Sequence, residues 1–155
     1  MYESLLFLHS WLRWVVLGAS AFLTARWVWY WFRETAWSPA DAHYARIFNF
    51  TFVFQLVFGV ALYLGVSPYT RMAFAQGRAF MEDPILRYWA LEHGPVMIVA
   101  LGIFQVALAR VRKRKTRKPY RALALGLGTA LAIMLAASPW PGLIYGRKLF
   151  RWFYF

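Results

Sequence analysis

Residues 47–65 read IFNFTFVFQLVFGVALYLG, a run with no charge and one glutamine. A bilayer core of about 30 Å needs about 20 apolar residues of helix, and this run comes close to that length. Three further apolar stretches of similar length accompany it, so the spacing predicts four membrane-spanning helices, at about 5–32, 46–65, 88–111 and 120–137. Of the 155 residues, 61% are hydrophobic and only 15% charged, against about 25% charged in a soluble domain. The chain therefore reads as one domain, an all-α integral membrane protein with an antiparallel four-helix bundle.

The net charge of +12 is not a nucleic-acid signal, because the cations gather at helix ends. Eight of the 18 lie between Arg110 and Arg121, as topology and lipid head groups require. Cysteine is absent, which excludes disulfides, thiolate metal sites, iron–sulfur clusters and covalent haem attachment. The N-terminus is expected to stay uncleaved. Its first residues include Glu3 rather than a basic cluster, and the apolar run continues past Gly18 to Phe32.

Polar residues recur along the helices at helical spacing. His9, Arg13, Val16, Ser20 and Thr24 share a stripe of the first helix, which should face protein rather than lipid. Arg26 and Arg33 are placed to snorkel to the far interface. In the second helix Thr51, Gln55, Gly59 and Tyr63 share a face. Gln55 should hydrogen-bond another helix, and Gly59 allows a neighbour or a flat cofactor close to the backbone. Residues 34–45 read as a loop with a turn and cap at Ser38-Pro39-Ala40-Asp41, and His43 as a surface residue of it.

Residues 69–84 are too charged to span and read as a short interfacial helix, with Asp83-Pro84 opening the third span. There His93, Met97, Ala100 and Phe104 share a face, and Pro95 should bend the first turn. In the fourth span Ala122, Gly126 and Ala130 form one small-residue ridge. Ala124, Gly128, Ala132 and Ala136 form another. The aromatic and basic tail, 146–155, should lie on the membrane surface or dock on a partner.

Counting lysines and arginines places both termini outside the cytoplasm. His9, Arg13, His93, Pro68 and the Ser138-Pro139-Trp140-Pro141-Gly142 corner then share the outer end.

Leu8-His9-Ser10-x-Leu12-Arg13-Trp14, Gln55-Leu56-x-x-Gly59-x-x-Leu62-Tyr63, Ser67-Pro68, Glu92-His93 and Pro139-Trp140-Pro141 together resemble a family of small four-helix bacterial membrane proteins. That family often carries the label "cytochrome b". Many members have a further histidine two positions before the glutamine, where this chain has Val53. The resemblance implies electron transport, with His9 and His93 left as axial ligands.

Three functional readings follow. In the first, His9 and His93 are interfacial residues, Glu92 pairs with His93 or Arg13, and the chain is an accessory subunit. Its partner is a larger respiratory or photosynthetic complex, met through aromatic and small-residue faces, with pigment contact included. In the second, a b-type haem sits between His9 and His93, with Arg13 on a propionate and Gly59 or Gly94 making room for the ring. In the third, His9, Arg13, Glu92 and His93 serve a quinone or similar lipophile as a proton relay. Transport is disfavoured, because no inverted repeat or broken mid-membrane helix is visible.

Overall fold

The computed structural model describes residues 1–113 and 115–150, and among them there is no strand. Six α-helices follow one another: α1 Tyr2–Phe32, α2 Pro39–Ala61, α3 Pro68–Gln76, α4 Pro84–Arg87, α5 His93–Arg112 and α6 Pro119–Ala136. Leu62–Val66 continues α2 as a wider π turn, and Tyr88–Glu92 joins α4 to α5 in the same way. Four helices are thus long and apolar enough to cross a membrane: Tyr2–Phe32, Pro39–Val66, Pro84–Arg112 and Pro119–Ala136. The chain is an all-α membrane protein.

Proline sets the helix starts. Four of the seven prolines, Pro39, Pro68, Pro84 and Pro119, occupy the first turn of a helix, where the missing N–H costs nothing. Ser38 caps α2 by accepting from Asp41 N, and Asp83 caps α4 by accepting from Ile85 N and Leu86 N. The second span accordingly begins at Pro39 rather than near residue 46, and the third opens at Asp83-Pro84, as expected, a turn before the residue 88 given as the start of its apolar run. The loop expected at 34–45 shrinks to a few residues. His43 stands exposed on α2 and not in a loop.

The spans pack as a closed ring in which α1 touches α2, α2 touches α5, α5 touches α6 and α6 returns to α1. Along α2 the four-residue period sorts the phenylalanines. Phe48 and Phe52 are buried, while Phe50 and Phe54 face outward at 68% and 45% exposure, as lipid-facing residues do. Phe104 of α5 meets Phe48 edge-on at 5.2 Å. The small residues of α6 let it sit closest to its neighbours. A Cβ at Gly126 would collide with Ala107 of α5, and one at Gly128 would come within 3.3 Å of Thr24 of α1. Ala132 and Ala136 of the second ridge are exposed.

At the end away from the chain termini, Asp41 is fully buried. Its carboxylate accepts from Arg26 Nε at 2.9 Å, Trp27 Nε1 at 3.2 Å, the Ser38 hydroxyl at 2.7 Å and the Tyr120 hydroxyl at 2.9 Å. One carboxylate therefore ties α1, α2 and α6 together. Arg26 does not snorkel away from the bundle; it is held by this ion pair.

The segment after Pro68 folds as α3 and a 3₁₀ turn, Gly77–Met81, too short to span, with its own small core of Ala73, Leu86 and Ala90. The tail, as far as the described residues go, contacts this chain's own α1. Leu149 O accepts from Arg13 and from Trp14 Nε1, and Phe150 stacks on Trp14 at 5.4 Å. Residues 151–155 of the expected tail lie outside the described residues.

Two outcomes test this packing in detergent by titrated unfolding. Asp41→Ala strands the donors of four other residues, and we expect a loss of about 3 kcal/mol; an unchanged midpoint would remove the carboxylate from the bundle's main ties. Gly126→Ala should cost about 1–3 kcal/mol by overpacking. Gly102→Ala, with open space around it, should gain about 0.5–1 kcal/mol, and equal responses at the two glycines would contradict the α5–α6 contact.

Candidate functional site

At the end of the bundle that holds the termini, the ring opens into a cavity of about 320 Å³. Two features of the backbone surround it. Both π turns lie beside a proline: Leu62–Val66 runs into Ser67-Pro68, and Tyr88–Glu92 precedes Pro95 by three residues. At each, a backbone N–H reaches one residue further back than in an α-helix, from Ser67 to Leu62 O and from His93 to Tyr88 O. Such a turn swells the helix and redirects its side chains. Ser67, Tyr63 and Trp89 line the cavity from these widened turns.

His9, Arg13, Gly59 and His93 all line this one cavity, so the structure brings the sequence-derived candidates together. Their roles differ from one another. His93 is anchored through Nδ1, which lies 3.3 Å from Ala137 O and 3.2 Å from the Tyr88 hydroxyl. Ala137 follows the last turn of α6, where carbonyls have no helical partner, so its oxygen also accepts from Tyr88 at 2.7 Å. A carbonyl only accepts, so the ring proton sits on Nδ1. Nε2 is left as an acceptor with no partner among the described residues.

His9 lies against α2. Gln55 Nε2 donates to His9 O at 3.1 Å and stands 3.5 Å from His9 Nε2, the outer limit of such a bond. The backbone carbonyl fixes which way the Gln55 amide points, so Oε1 faces elsewhere. The space expected at Gly59 for a cofactor ring is taken by the imidazole itself, whose Cε1 would be 3.2 Å from a Cβ there. Gly94 has open space around it and lines the cavity.

Arg13 donates to Leu149 O at 3.0 Å and has no carboxylate beside it. Glu92 pairs with neither His93 nor Arg13; its partner is Arg87 Nε at 2.7 Å. That pairing follows from the π turn, which brings residues five apart onto one side. The proton relay expected of His9, Arg13, Glu92 and His93 thus loses its carboxylate.

Five buried side-chain polar atoms lack a hydrogen-bond partner among the described residues, and three of them belong to cavity residues: His9 Nδ1, Arg13 Nε and Gln55 Oε1. Buried polar atoms are satisfied in all but a few cases, so three unpaired ones on residues of one cavity set this end apart from the rest of the bundle. No group of three or more histidines or carboxylates converges as a metal site among the described residues.

The fit to a haem held by two histidines is poor in this arrangement. His93 offers a free nitrogen, but His9 has Nδ1 sealed in protein and Nε2 turned to Gln55. Val53, where the resembling family has a further histidine, packs against the apolar core. Sequence reasoning missed Tyr88, Ala137 and Leu149, whose backbone or hydroxyl oxygens hold His93 and Arg13. No family model matches the chain, and comparisons with curated proteins and with solved structures give no match.

Gly59→Val should expel the His9 ring from its seat. Diethyl pyrocarbonate labelling read by mass spectrometry should then modify His9 in the variant and spare it in the parent, with exposed His43 labelled in both. Labelling of His9 in the parent would show that the ring is not held against α2.

Proposed function

We propose that this chain is a non-enzymatic membrane protein that binds one small lipophilic molecule in the end cavity, the quinone-type reading of the sequence in its broader form. The carrying observation is a cavity with mostly apolar walls on which a few polar side chains converge, His9, Arg13, Gln55 and His93. A volume of about 320 Å³ falls at the lower end of the roughly 300–1,000 Å³ of small-molecule pockets. Such sites are mostly apolar with a few convergent polar groups, which is the composition seen here.

This reading has more in its favour than the other two. A subunit whose task is packing alone has no reason to strand polar atoms around a cavity at a cost of about 1–3 kcal/mol each. A haem would require His9 to leave its seat on Gly59. The lysine and arginine distribution supports a bacterial inner membrane, with the cavity and both termini at the outer face. A respiratory or photosynthetic complex remains our proposal for the neighbour that supplies or takes the molecule.

The test is native mass spectrometry of the protein purified in a neutral detergent. One bound lipophile per chain is expected, lost in Met97→Trp, which fills the cavity, with helical circular dichroism unchanged. A chain free of small molecules would overturn the reading. So would a b-type α-band in the reduced-minus-oxidised spectrum that disappears in His93→Ala.

A further inference from the structure

Resting on that reading of the cavity, we infer that the bound molecule is a single-chain amphiphile with an oxyanion head, a carboxylate or a phosphate, held by Arg13, Arg147 and Lys148. Three cations line the cavity, and among the described residues no aspartate or glutamate does. The two ion pairs among the described residues, Arg26 with Asp41 and Arg87 with Glu92, are made elsewhere.

The contacts Arg13 and Arg147 make among the described residues are neutral. Arg13 donates to the Leu149 carbonyl and leaves Nε buried without a partner. Arg147 lies over the Trp89 ring at 4.4 Å and the Tyr69 ring at 5.0 Å, with one nitrogen 3.5 Å from the Tyr2 hydroxyl. Carbonyls and ring faces orient a guanidinium without neutralising it, and arginine does not shed its proton in proteins. A positive charge kept against apolar walls is costly unless an anion joins it. A carboxylate or phosphate accepts from a guanidinium through two parallel bonds, and the cavity lining holds two guanidiniums, Arg13 and Arg147.

The walls supply the rest of the ligand's description. Arg13 is tied to the tail segment that also carries Arg147 and Lys148, so the cations gather where the tail crosses the bundle. Val16 and Leu17 lie one turn further along α1. Phe52 lies two turns from Gly59 along α2, and Met134 one turn before Ser138. The lining therefore passes from charged at the rim to apolar with depth. A head at the rim and one chain running inward satisfies both. A neutral quinone satisfies only the second.

The experiment uses the full chain in neutral detergent and a fluorescent long-chain conjugated-polyene carboxylic acid, compared with its alcohol and with an alkyl phosphate of equal chain length. At a pH where the acid is ionised, the acid, the phosphate or both should bind at least about tenfold tighter than the alcohol, the worth of one charge-assisted bond. The tighter of the two names the head. Arg13→Gln should reduce binding of the oxyanions to that of the alcohol and leave the alcohol unmoved. The double variant Arg147→Gln, Lys148→Gln should weaken oxyanion binding with the spans untouched. Arg71→Gln, outside the cavity, should change nothing. Equal affinity for all three compounds would overturn the oxyanion head while the cavity reading stood. Absence of binding, or binding indifferent to Met97→Trp, would overturn both.

Discussion

A polar group inside a helical bundle surrounded by lipid has no water to fall back on, and Asp41 shows what satisfying one requires. Its two oxygens take hydrogen bonds from Arg26, Trp27, Ser38 and Tyr120, drawn from α1, α6 and the cap of α2. No single helix could offer that set. The carboxylate therefore fixes the relative rotation of three spans at one end, and the apolar contacts of Phe48, Phe104 and the α6 glycines follow from that rotation. The bundle is closed and dry where this knot sits.

The other end obeys the same constraint with the opposite result. Prolines after α2 and near the start of α5 deny the backbone its regular bonds, and the helices answer with π turns that widen the ring. Polar atoms are carried inward on the widened frame, yet the described residues do not supply all their partners. At one end the chain itself satisfies its buried carboxylate, and at the other the described residues leave three buried polar atoms of cavity residues unpaired. The contrast between a satisfied and an unsatisfied end is what gives the cavity its meaning.

Much of this was readable from residue order, for reasons that can be stated. The four spans follow from uncharged runs too long for anything else. The stripes through His9 and Arg13, and through Gln55 and Gly59, follow from the helical period, and the structure does set them face to face. What period cannot say is which span neighbours which, so the meeting of His9 with Gln55 was not legible. Asp41 escaped for a related reason. With Ser38 it looks like an ordinary cap, while the partners that bury it, Arg26, Trp27 and Tyr120, stand at no fixed spacing from it. The anchors of His93 and Arg13 are backbone carbonyls, Ala137 and Leu149, and a carbonyl leaves no mark in a sequence. Polar residues such as Asp41, His43 and Arg46 also made the start of α2 look like a loop, because the first turns of a helix can be as polar as a loop.

The closed ring has a consequence for how the molecule is made. Its last contact joins the first span to the final one, through Thr24 and Gly128 and through Tyr30 and Tyr120. During synthesis α1, α2 and α5 enter the bilayer before α6 exists, so the Asp41 carboxylate waits with one of its donors missing. The nascent three-span intermediate is therefore unsealed at both ends. Biogenesis reaches its point of no return only when the most glycine- and alanine-rich span slides between α5 and α1, and the segment bearing Leu149 settles over Arg13 after that.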